Sequence, residues 1–230
     1  ERLDSIERWN FDSISRNVYE LVGAETFRAT WWRLQESPPA IDEIPARLVA
    51  VPKTAAKPRL ISIEPSYNQF VQQGLMSALY DELCRFPSLN LRDQDRNKGL
   101  ARTASVTGRL ATVDLSEASD RIHNGLVRYL FSWNPAFAEF LEMTRSRVVS
   151  LPGGDQLLLN KFASMGSALT FPIESMIFMG IVAYAISVVE GDFTRAFQRK
   201  SLWSSEIGVY GDDIILPSKY VPTLYSILNE

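Results

Sequence analysis

Histidine and cysteine are almost missing from this chain: its 230 residues include one of each, His123 and Cys84. A cysteine–histidine zinc site is therefore excluded. An internal disulfide is excluded as well, which leaves a reducing compartment open. Cys84 reads as a small buried hydrophobe. His123, with no partner nearby in sequence, reads as a structural or surface residue rather than a catalyst. Long apolar runs are scarce too. The longest, Met176 to Val189, covers 14 residues and is broken only by Gly180 and Ser187. That is short for a bilayer span and fits a buried helix, so no membrane partner is expected. The charged start, Glu1-Arg2-Leu3-Asp4, holds no signal-peptide core. Internal repeats and low-complexity stretches are absent. A net charge of −3, from 24 basic and 27 acidic residues, does not suit a protein coated in nucleic acid, so the local distribution of charge matters more than its sum. The length allows one large domain or two lobes, and the missing punctuation at both ends reads as a segment cut from a longer polypeptide.

What is present centres on Val209-Tyr210-Gly211-Asp212-Asp213-Ile214-Ile215-Leu216. Two apolar runs rich in β-branched residues flank three residues suited to a turn. The pattern predicts a short hairpin with adjacent carboxylates at its tip. No local basic residue offsets them. A divalent cation would, and hard cations prefer oxygen ligands. A solvated Asp-Asp turn is the plainer reading of this stretch taken alone.

Earlier in the chain, residues 1–36 read as helical, closed by Ser37-Pro38-Pro39. Arg47–Val51 and Pro58–Ile63 read as strands joined by the basic link Pro52 to Lys57. Two readings of that link stand: a solvated hairpin, or a cradle in which Lys53, Lys57 and Arg59 meet a triphosphate. Glu64-Pro65-Ser66 introduces an amphipathic helix to about Arg85. Residues 87–108 read as a mildly basic loop, either phosphate-facing or solvated. Arg109–Asp114 reads as a strand ending in an acid, with Ser116 or Ser119 capping a helix that runs through about Ser132. Pro135 opens another helix, and Val148–Leu159 reads as a hairpin around Pro152-Gly153-Gly154-Asp155. Ser164-Met165-Gly166-Ser167 is a small-residue turn feeding the long apolar helix, which Thr170 and Glu174 interrupt on nearly one face. Pro222 suits the first turn of a terminal helix. This order of elements implies an α+β fold with an antiparallel sheet packed on helices.

Asp114, Asp212 and Asp213 are far apart in sequence but stand at strand ends or turns. If the Asp114 strand lies beside the hairpin, they converge. Two divalent ions about 3.5–4 Å apart need such an arrangement to activate a 3′-hydroxyl and stabilise a leaving pyrophosphate. Basic groups must then meet the transferring phosphoryl group from the other side.

Four segments carry a resemblance to one family. Ala111 to Asp120 resembles polymerase motif A, Ser164 to Ser175 motif B, and Tyr210 to Ile215 motif C. The stretch from Pro52 to Ser66 resembles a basic fingers segment that continues into a helix with Asn68 and Gln73, and Asp93-Gln94-Asp95-Arg96-Asn97 also looks like a family segment. Together, in this order, they resemble the RNA-dependent RNA polymerases of the single-stranded RNA bacteriophages, the levivirus or Q-beta-like replicases. Glu174 stands where many other viral polymerases carry Asn, in agreement with the phage type.

The resemblance implies a right-hand polymerase fold, with a fingers region over 1–108 and mainly palm over 109–230. The thumb and the motif D lysine would lie outside the chain, unless Lys219 takes the latter's place. It implies template-directed RNA synthesis by a two-metal nucleotidyl transfer. Asp114, Asp212 and Asp213 would be the catalytic acids and would hold two Mg2+ ions, with Mn2+ as a substitute. Asp120 would sense the ribose 2′-hydroxyl, and Gly166, Thr170 and Glu174 would stand near the same nucleotide. Lys53, Lys57 and Arg59 would meet the triphosphate. The implied partners are RNA template, nascent RNA, nucleoside triphosphates and host translation factors, in the bacterial cytoplasm. The alternatives are a mitovirus or narnavirus polymerase and a non-catalytic RNA-binding fragment. A reverse transcriptase would place a bulky aromatic residue near Asp120.

Overall fold

The structure is a computed structural model and describes residues 14–15, 40–41, 44–52, 58–193 and 204–229. In chain order the elements are β1 (Ile14–Ser15), β2 (Ala40–Ile41), β3 (Ala46–Val51), β4 (Arg59–Ile63), α1 (Ser66–Leu83) and α2 (Gln94–Thr107). They continue with β5 (Leu110–Val113), α3 (Ala118–Arg121), α4 (Asn124–Leu130), α5 (Pro135–Thr144), β6 (Val148–Ser150) and β7 (Gln156–Leu158). The last are α6 (Thr170–Glu190), β8 (Gly208–Tyr210), β9 (Asp213–Pro217) and α7 (Val221–Leu228). The chain divides into two compact units that interleave in sequence: residues 1–75 with 120–170, and residues 76–119 with 171–230.

The first unit is built on a four-stranded sheet of order β4-β3-β6-β7. β3 pairs antiparallel with β4 and parallel with β6, and β6 pairs antiparallel with β7. This sheet is therefore mixed. Its parallel pair joins segments about a hundred residues apart, which no local pattern announces. β1 and β2 pair parallel, Ile14 opposite Ala40, so Ile14–Ser15 is extended where a helix was expected; the rest of the predicted helical region 1–36 lies outside the described residues.

The second unit holds an antiparallel sheet of order β5-β9-β8. α2 packs on it through Leu100, Ala101 and Ala104 against Leu110 and Ile215. α2 corrects the expectation of a loop over 87–108. Asp93 caps it by accepting from the Arg96 amide, and Gly108 closes it at φ +65°. Both signals stood in the sequence. Just before α2 Arg92 pairs with Asp81 of α1, and on the surface of α2 Lys98 pairs with Asp95, so these two bases are already matched by acids.

The helix expected through Ser132 breaks in two. Neither Ser116 nor Ser119 caps it: the Ser119 hydroxyl is buried with no hydrogen-bond partner among the described residues. His123 instead caps α4, its Nδ1 accepting from the Gly125 amide at 3.0 Å, which gives the lone histidine a structural role. Cys84 is half-buried rather than buried, its thiol directed to the Asp81 carbonyl.

α6 runs 21 residues, longer than its apolar stretch, because Thr170 to Ser175 and Glu190 join it. Among the described residues it is the helix long and apolar enough to cross a membrane, yet Ile173, Ile177, Phe178, Val182, Ala183, Ala185 and Ile186 are all buried in the folded chain. Leu216, in β9, is fully buried. Leu216→Ala should therefore cost about 2–5 kcal/mol, read from the urea midpoint at constant m-value.

Candidate active site

β9 forms the middle of its sheet. It pairs with β5 with Leu110 opposite Pro217 and Val113 opposite Ile214, and with β8 with Tyr210 opposite Asp213. β5 ends at Val113, one residue before Asp114, and β9 begins at Asp213, one residue before the partner of Val113. Asp212 belongs to the two-residue turn between β8 and β9. Ile214, Ile215 and Leu216 are buried and Asp213 is exposed, so the apolar residues of β9 anchor the strand and leave its acidic start at the surface.

The turn is clamped from α6. Gly211 has φ +64°, and a Cβ there would come within 2.5 Å of the Phe171 ring. Its amide donates to the Ser175 hydroxyl at 2.9 Å, and that hydroxyl donates to the Phe171 carbonyl at 2.7 Å. The Phe171 ring meets Tyr210 edge-on at 4.8 Å between centroids. Glycine is thus required for both backbone conformation and space.

The electrostatics are one-sided. Burial first, then Asp212 and then Asp114, push the Asp213 carboxyl up from its ordinary range. Glu174 is 6% exposed. Its carboxyl is pushed up to about 8, by burial first and then by Asp212. No basic side chain among the described residues pairs with any of these acids. A divalent cation would relieve the repulsion, and an all-carboxylate donor set suits a hard ion of the magnesium class. Among the described residues, no three His, Cys, Asp or Glu side chains are already gathered into a metal cage. Electrostatic reach, rather than a closed cage, links Asp114, Asp212 and Asp213.

Other predicted site residues belong to the first unit. Arg59 is exposed at the start of β4, opposite Val51, whereas Lys53 and Lys57 lie outside the described residues. Gly166 has φ +124°, and a Cβ there would fall 1.9 Å from the Ser62 carbonyl oxygen. The adjacent Met165 carbonyl accepts from the Ser62 amide at 2.8 Å, so the small-residue turn lies directly on β4. The Thr170 hydroxyl donates to the Ser164 carbonyl at 2.8 Å. Asp120 is ion-paired to Lys161 at 2.5 Å rather than to Arg121.

The family described as RNA replicase, beta-chain, matches residues 41–230. This chain belongs to that family. It is 40% identical over 183 residues to the RNA-directed RNA polymerase subunit beta of Escherichia virus Qbeta, covering 80% of this chain and 29% of that protein. It is 37% identical to the corresponding subunit of Enterobacteria phage SP, over 80% of this chain and 29% of that one. It is 35% identical to the RNA-directed RNA polymerase beta chain of Escherichia phage MS2, over 77% and 30%. The chain thus spans less than a third of the curated relatives it matches. Its fold is similar to that of the RNA-dependent RNA polymerase of a human picorbirnavirus, with a TM-score of 0.53 at 14% identity over 79% of this chain and 39% of that one.

Three residues of this replicase-family chain escaped the reading of its sequence. Ser175 and Phe171 sit in the motif B segment, but their contacts with the Gly211 turn join distant stretches and leave no spacing signal. Gln72 is fully buried, whereas Gln73, noted with Asn68 as family-typical, is exposed. Gln72 Nε2 donates to the Thr144 carbonyl at 2.8 Å, and its Oε1 accepts from the Ser167 hydroxyl at 3.0 Å and the Ala168 amide at 3.2 Å. A polar residue on the apolar face of an amphipathic helix was the available clue.

Ser175→Ala should destabilise by about 1–3 kcal/mol, because the buried Gly211 amide loses its acceptor. Gly211→Ala should cost roughly 2 kcal/mol or more, adding a clash to left-handed strain. Urea unfolding of both variants checks the order. A second expectation concerns pH. Folding raises the affinity of Glu174 for its proton, so its contribution is fully present below about 4.5 and is lost as pH rises through about 8. In metal-free buffer, Glu174→Gln should flatten the fall in stability between pH 5 and pH 8.5 measured by urea midpoints.

Proposed function

We propose that this chain carries the catalytic core of an RNA-dependent RNA polymerase that copies an RNA template during viral replication. The observation that carries the reading is the register of β9, which sets the acidic ends of two strands side by side at a clamped turn. Family membership supports the same chemistry. In this reading Asp114, Asp212 and Asp213 hold magnesium. When bound, such ions supply Lewis-acid activation of the primer hydroxyl and neutralise charge on the leaving pyrophosphate. The chain's own residues do the rest. Lys53, Lys57 and Arg59 attract the triphosphate, Asp120 accepts from the ribose 2′-hydroxyl, and Gly166, Thr170 and Glu174 attend the nucleotide. The fold is read as fingers over 1–108 and mainly palm over 109–230 of a right-hand polymerase. Template and nascent RNA, nucleoside triphosphates and host translation factors are the proposed partners, in the bacterial cytoplasm.

The test uses the full-length polypeptide in magnesium-dependent primer extension. Asp212→Ala should abolish incorporation of every nucleotide. Asp120→Ala should retain incorporation but lose ribose preference by roughly ten- to a hundredfold, since an acceptor left unmet in the bound complex is what rejects the deoxy substrate. Full synthesis by Asp212→Ala would refute the assigned acids, and no synthesis by the unmodified full-length polypeptide would favour a non-catalytic RNA-binding role.

A further inference from the structure

Asp120 does not stand alone. Its Oδ1 accepts from the Lys161 ammonium at 2.5 Å, and no donor among the described residues reaches Oδ2. The two side chains are 47% and 25% exposed, and a pair so open to water contributes little to folding stability.

The backbone beneath Lys161 is nevertheless held on two sides. On one side the Phe162 amide donates to the Ile122 carbonyl at 2.8 Å, and the Asn124 amide donates to the Asn160 carbonyl at 2.9 Å. These bonds fasten the Lys161 segment to the stretch that follows Asp120. On the other side lies the buried Arg145. Its guanidinium donates to the carbonyls of Leu159, Lys161 and Phe162 at 3.0–3.1 Å and to Glu142 at 3.1 Å. A buried guanidinium is costly unless every donor is met. Here that donor set fixes the backbone from which Lys161 reaches Asp120.

We propose that Lys161 is a positioning residue for sugar selection, holding Asp120 by one carboxylate oxygen so that the other faces the ribose 2′-hydroxyl. The inference rests on the ribose-sensing reading of Asp120. A carboxylate tied at one oxygen by a charge-assisted bond has little freedom left, and its second oxygen is a preorganised acceptor. Without Lys161 the carboxylate rotates into solvent. The 2′-hydroxyl then meets an acceptor that must be reordered at each binding event.

The test is the ratio of kcat/KM for ATP to that for dATP in the full-length polymerase, for Asp120→Ala, Lys161→Met, Lys161→Arg and the double variant Asp120→Ala/Lys161→Met. Lys161→Met should lower the ratio about three- to tenfold, the loss of one oriented hydrogen bond. Lys161→Arg should hold it near wild type, and Lys161→Met should add nothing in the Asp120→Ala background. Lys161→Gln supplies the same measurement if Lys161→Met is insoluble. If Asp120→Ala lowers the ratio while Lys161→Met leaves it unchanged or raises it, the positioning role is wrong and the reading of Asp120 stands. An equal loss from Lys161→Met with and without Asp120 also overturns the role. If Asp120→Ala leaves the ratio unchanged, the ribose reading itself fails and this inference fails with it.

Discussion

β9 pairs with β5 on one edge and β8 on the other, and the placement of the acidic residues depends on that double pairing. Its cost is electrostatic. Like charges a few ångströms apart oppose each other by on the order of 1–4 kcal/mol near a protein surface. Against this, Val209, Ile214, Ile215 and Leu216 are buried on the same two strands. Each such side chain stabilises by about 1.5–3 kcal/mol. The apolar term outweighs such a repulsion, so burial along these strands fixes where their acidic ends stand. A strand with a weaker core would relax the tip and disperse the acids.

The clamp from α6 adds conformational definition. Ser175 is both donor and acceptor in one hydroxyl, linking the Phe171 carbonyl to the Gly211 amide. The ring of Phe171 then fills the space a side chain at position 211 would need. Hydrogen bond, ring contact and left-handed backbone favour the same turn geometry. Agreement of that kind holds the turn in one conformation.

The first unit relies on buried polar hubs. Thr144 ends α5 with a carbonyl that no helical amide reaches, and the side chains of Asn68 and Gln72 donate to it. Gln72 also receives the Ser167 hydroxyl and the Ala168 amide, and Gly166 presses its backbone onto Ser62. Buried polar networks of this kind favour one arrangement among many of similar apolar burial. The close approach accounts for the glycine at position 166, where any side chain would hold the turn off β4.

The sequence by itself determined the local features. Alternating and β-branched runs marked β3, β4, β5, β8 and β9, turn chemistry marked the Gly211-Asp212 corner, and the motif order marked the replicase family. These signals are legible because each lies within a few residues. The helix over Gln94–Thr107 was legible too, through Asp93 and Gly108, but its charged composition read as loop. Tertiary structure alone decided the parallel pairing of β3 with β6, the burial of Gln72, the break at His123, the Ser175 clamp and the Lys161 partner of Asp120. None has a period in the sequence that announces it, and apart from the local His123 cap each joins distant segments whose polar groups find their partners only in the folded chain.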